Sequence, residues 1–160
     1  MAEESLASAD AVSPMIDPTN RVVMLCAEGM AMEGAPANAM RLFEEAWAAR
    51  SDDFEAAIAA HFVARHQPTP AETLHWNALA VQHAELVSDG RAAGFLASLF
   101  LNLADAHEKL GELEPARSAV KRAATHLGQL PAGGYREFVA GGIRRLAARL
   151  DVVLDAQHAD

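Results

Sequence analysis

Residues 100–124 read FLNLADAHEKLGELEPARSAVKRAA, and this stretch decides the fold. Phe95, Leu99 and Leu103 recur at helical spacing along one face, and Gly111 closes that helix. A second helix begins near Glu114, with Pro115 in its first turn where a missing N–H costs nothing. The stretch predicts a helix hairpin, with helices over about 91–110 and 114–127.

The same alternation of stripe and breaker extends in both directions. Val22, Val23, Cys26 and Met30 mark a first helix from about Asn20, stopped at Glu33-Gly34-Ala35-Pro36. Met40, Phe43 and Trp47 carry a second over 36–50, and Ser51-Asp52-Asp53 offers a cap for a third over 53–66 through Phe54, Ile58 and Phe62. After Gln67-Pro68, Thr69 as cap, Pro70 at the first position and Glu72 at the third open a fourth helix that runs to about Val87. Beyond residues 128–134 a seventh helix spans about 135–154, with Phe138, Val139, Ile143, Leu146, Leu150 and Val153 facing inward. Gly141-Gly142 weakens it by about 1 kcal/mol per glycine. Met1 to Pro18 is acidic, small and aperiodic, which predicts a flexible tail over 1–18; a second tail covers 155–160.

Composition agrees. The 160 residues suit one helical domain over 19–154, and 36 Ala against 17 Val, Ile and Thr favour helix over strand, giving an all-α fold. No apolar run reaches the roughly 18–20 residues that span a bilayer, so no membrane role is expected. A net charge of −9 repels polyphosphates, which disfavours nucleic acid as a partner. One cysteine, Cys26, and a first stretch without a basic-then-apolar leader predict a cytoplasmic protein.

Superposing Gly34, Pro68 and Gly111 as within-pair turns gives spacings of 34 and 43 residues. In that register the chain from about Thr19 to Pro131 resembles the tetratricopeptide repeat (TPR) family. The third unit supplies Phe100, Leu103, Ala104, Gly111, Ala116 and Ala123, and the first supplies Ala27, Gly34, Ala39, Phe43 and Ala46. The segments AAHFVARHQ (59–67) and TLHWN (73–77) are also similar to bacterial TPR-domain proteins. The second unit departs from the pattern at His61, Pro68, Thr73 and Asn77 and keeps only Ala80. The resemblance implies a TPR-like superhelix of three antiparallel hairpins plus a C-terminal capping helix. It further implies a concave wall made by the first helix of each hairpin.

The positions that the resemblance turns toward this wall are Arg21, Met24 and Glu28, then Ile58, Phe62, Arg65 and His66, then Leu101, Asp105, Glu108 and Lys109. Met24, Ile58 and Leu101 would draw an apolar stripe with charges at its margins, suited to a peptide or helix of a partner protein. The competing expectation is that a tail or the seventh helix already covers the stripe. Met24 and Glu28 stand where some TPR domains place Lys and Asn to clamp a peptide's C-terminal carboxylate, so that mode is disfavoured. The expected function is therefore a protein-interaction adaptor, with the acidic balance favouring basic or amphipathic segments.

The alternative is a small-ligand or catalytic site around the middle hairpin, using His61, His66, Trp76 and Asn77, with Asp105 as a further acid. His61 and His66, five apart, point about 140° from one another on a helix, and no Cys pair or HExxH is present, so no metal is expected. No Gly-rich phosphate loop follows a strand, so no cofactor is expected. Cys26 reads as a packing residue and His107 as a hydrogen-bonded core imidazole. A homodimer through Val152, Val153 and Leu154 on an extended last helix is a further expectation.

Overall fold

The computed structural model describes residues 17–155. The two expected tails fall outside the described residues except for Asp17, Pro18 and Asp155. The described residues hold seven α-helices and no strand: α1 Arg21–Ala31, α2 Pro36–Ala49, α3 Asp53–Val63, α4 Pro70–Leu86, α5 Leu96–Lys109, α6 Leu113–His126 and α7 Gly134–Arg149. Single 3-10 turns, Ala64–His66 and Leu127–Gln129, follow α3 and α6. Where the sequence suggests one helical domain, the described chain forms two compact units, residues 17–92 and 93–155.

Local chemistry explains the helix starts. Asn20 Oδ1 accepts the N–H groups of Val22 and Val23 at 2.9 and 3.2 Å, and its amide donates to Glu55 Oε1 at 2.9 Å, linking the start of α1 to α3. Asp52 Oδ1 accepts from Glu55 N–H at 2.8 Å while Glu55 Oε2 accepts from Ser51 N–H at 2.7 Å. Thr69 Oγ1 accepts from Glu72 N–H at 3.2 Å and donates to Glu72 Oε2 at 2.7 Å, with Pro70 opening α4. These caps satisfy N–H groups that have no partner inside the helix. Asp52→Ala is expected to lose about 1 kcal/mol of stability and Asp52→Asn to stay near wild type, both read from urea unfolding midpoints.

In the first unit α1 pairs with α2 and α3 with α4, α2 lies against α3, and α1 also reaches α3. The position of α3 among three neighbours accounts for its composition: Phe54, Ala56, Ala57, Ile58, Ala59, Ala60 and Val63 are all buried, so it is apolar on nearly every side. In the second unit α5 pairs with α6, and α7 packs against both. Gly111, at φ 74°, turns the chain from α5 to α6 while its N–H reaches Glu108 O at 2.9 Å.

Four expectations need correction. The fifth helix starts at Leu96 rather than Arg91, because Asp89 accepts the Arg91 N–H at 3.1 Å and its guanidinium at 2.8 Å and holds residues 91–95 as turns. The last helix ends at Arg149: Asp151 takes φ 55° and Val152 N–H returns to Ala147 O at 2.8 Å, so 152–154 do not extend a helical dimer face. On that helix Val139, Ile143 and Leu146 are buried and Leu150 is buried just past its end, but Phe138 is 73% exposed and Val153, beyond the stop, is 92% exposed. On α1 the buried stripe is Val22, Leu25, Cys26 and Gly29, leaving Ala27 and Met30 on the surface. The small residue that matters there is Gly29, not Ala27. A Cβ on Gly29 would lie 2.3 Å from Cε1 of Phe43.

Candidate functional site

Each expected wall residue can be placed within its own unit. On α1, Arg21, Met24 and Glu28 are all exposed; Arg21 meets Glu45 of α2 at 3.1 Å. On α3 the expectation changes. Ile58 is buried, and Phe62 is half-buried against the Ala39, Phe43 and Val63 cluster, its ring 5.3 Å from that of Phe43. Of the stripe Met24, Ile58 and Leu101, only Met24 presents an exposed apolar side chain; Ile58 is core, and Leu101 is half-buried with its side chain lying against the bare Cα of Gly142.

Arg65 and His66 do come together, on a residue that the sequence reading did not select. Glu33, in the turn after α1, accepts from Arg65 Nε at 3.1 Å and Nη2 at 2.9 Å, and its Oε2 lies 2.7 Å from His66 Nε2. The His66 ring is nearly parallel to the Phe43 ring, with centroids 6.0 Å apart. His61 sits one turn before Arg65 with its ring 4.9 Å from that of Phe62. Burial, reinforced by the Arg65 cation and opposed by Glu33, pushes its pKa from 6.5 down to about 4. The Glu33 carboxylate, shared by Arg65 and His66, ties the end of α1 to the end of α3. The clue in the sequence was an acidic residue in the first hairpin turn.

The remaining ligand-site candidates are occupied by packing. Trp76 stands perpendicular to Trp47 at 5.0 Å, on the edge of the same core cluster, and Asn77 is buried. Cys26 is buried and its thiol is pushed up to about 12 by that burial, which removes the thiolate a nucleophile requires. His107 Nδ1 lies 2.6 Å from Glu112 Oε2, half-buried at the α5 turn. Among the described residues no group of three or more His, Cys, Asp or Glu could hold a metal ion, and no helix is long and apolar enough to cross a membrane.

The second unit carries the open feature. Leu101, Asn102 and Asp105 of α5 face Phe138, Gly142, Arg145, Leu146 and Arg149 of α7 across a cleft of about 300 Å³. Leu146 is buried at its floor and Phe138 projects at its mouth. Gly142 lets the two helices close here, since a Cβ at that position would meet Leu101 Cδ2 at 2.8 Å. The acids on α5 are matched by cations: Lys109 holds Asp105 at 2.7 Å, and Arg149 reaches Glu108 at 2.9 Å and Asp105 at 3.9 Å. Hydrogen bonding to Glu108 raises the Arg149 pKa above its ordinary value. Of the α5 residues expected on the wall, Leu101 and Asp105 line this cleft, and Glu108 and Lys109 are engaged in the ion pairs beside it. Phe138, Arg145 and Arg149, which complete the cleft, were assigned to the core or not selected. No protein-family model, curated protein or solved structure matches the chain.

Proposed function

We propose that the chain is a TPR-like scaffold protein that holds a segment of another protein against the first helices of its hairpins, without chemistry of its own. The observation that carries this reading is the α5–α7 cleft, an apolar floor with charged margins on the face where the repeat register expects partner contact. The packing order supports it as well. In the first unit α1 and α2 both touch α3, as stacked hairpins do, and in the second α5 and α6 both touch the single helix α7. Met24, 53% exposed on α1, adds an apolar contact on the same type of helix in the first unit. Residues 17–92 carry eleven Asp and Glu against five Arg and no Lys, which favours a basic stretch of the partner near that unit.

The test is affinity capture, from cells that make the protein, with wild type beside Met24→Glu and Phe138→Glu. Both positions are exposed, so the variants keep the helical circular dichroism of wild type. Recovery of a partner by wild type and its loss with at least one variant is the expected result, with recovery falling as salt is raised. Equal recovery of every protein by all three chains would overturn the reading.

A further inference from the structure

The charged residues that line the α5–α7 cleft are one acid, Asp105, and two bases, Arg145 and Arg149, a balance unlike that of the acidic chain as a whole. Residues 93–155 hold eight Lys and Arg against seven Asp and Glu, although the full chain is at −9. Around the cleft Lys109 and Arg149 are used on Asp105 and Glu108, whereas Arg145, exposed on α7, has no ion-pair partner among the described residues. Its guanidinium lies back along α7 over the bare Gly141, with Nη1 3.1 Å from where a Cβ of that residue would be. Beside it are the exposed ring of Phe138 and the half-buried Leu101.

We infer that this cleft takes a single large apolar side chain of a partner peptide, and that Arg145 binds a carboxylate one or two residues away from that anchor. A volume of about 300 Å³ lies at the low edge of ligand pockets and fits one aromatic or aliphatic side chain. A guanidinium presents paired N–H donors to a carboxylate, and the neutralised acids of α5 leave it as the net charge an incoming segment meets. The partner segment for this site is therefore acidic and amphipathic, unlike the basic segment that the chain's overall charge would attract. The inference rests on the protein-binding reading above.

The probe is a display library of random peptides selected on the full chain, with individual winners titrated while backbone amide resonances are followed. Expected winners share a large apolar residue flanked by Asp or Glu and shift the amides of Leu101, Gly141 and Gly142. Arg145→Glu, an exposed change, weakens them about tenfold, and replacing their acidic residue by Lys restores binding to that variant. Winners indifferent to Arg145→Glu, or winners with Lys beside the anchor, would overturn the inference. So would a chain that self-associates in sedimentation and becomes monomeric on Phe138→Glu, since a second copy would then fill the cleft. Peptides that shift only α1 amides around Met24 remove the inference and leave the scaffold reading intact. A library that yields no binder to any part of the chain removes both.

Discussion

Gly29→Ala lowers the urea midpoint of the protein, with a net loss of about 2 kcal/mol of stability. Alanine normally gains about 1 kcal/mol over glycine inside a helix, so the sign of the change depends on the space available. Here the added methyl would lie 2.3 Å from Cε1 and 2.7 Å from Cδ1 of Phe43. That ring has no exposed surface and is flanked by Phe62 and His66, so it has nowhere to turn. Overpacking of this kind costs about 3 kcal/mol, which exceeds the propensity gain. Phe43→Leu removes Cε1 and Cζ, and with them the closest contact. In the double variant the two losses add to less than their sum by at least about 1 kcal/mol. Additive losses, or a Gly29→Ala chain as stable as wild type, would show that the α1–α2 contact is not as close as described.

The second large effect is an acid weakness centred on His61. Its pKa falls from 6.5 to about 4 on folding, chiefly through burial and then through the Arg65 cation, with Glu33 acting in the opposite sense. Between these two values the unfolded chain binds a proton that the folded chain does not, so stability declines as pH drops from 6.5 toward 4 and is insensitive to this group above 6.5. The full shift corresponds to about 3 kcal/mol, and the surface the residue keeps toward solvent brings the expected loss to about 1–3 kcal/mol. His61→Gln removes that part of the slope while leaving the carboxylate contributions in place. Urea unfolding of both chains across this pH range is the measurement. Parallel curves would overturn the assignment.

Helix number and most boundaries were legible because the breakers are unambiguous. Pro36, Pro70 and Gly111 act through the backbone alone, and Asp52 and Thr69 cap within three residues. Stripes were harder to read on α1 because Val22, Val23, Met24, Leu25, Cys26 and Met30 offer apolar residues in almost every direction. A shift of one residue rotates the face by about 100°, and only the Phe43 ring, packed on Gly29, selects among the alternatives. The end of α7 was misjudged for another reason: the apolar run continues past Arg149, but the stop is set by Asp151 entering the left-handed region, which composition does not announce. That Leu101 and Asp105 share a face of α5 could be found from spacing within one helix. Glu33 and Arg145 could not, because their roles depend on which side chains the fold brings near them.

The aromatic inventory gives the first unit its own optical reporter. Both indoles, Trp47 and Trp76, lie in residues 17–92, and the sole phenol, Tyr135, lies in 93–155. With Arg50 over the Trp47 ring at 3.6 Å and Trp76 edge-on to it, loosening of the first unit alters a shielded chromophore pair. Emission excited selectively in the indole band therefore follows one half of the molecule, while helical circular dichroism follows both. Whether the halves melt as one body or in sequence can be read without introducing a label.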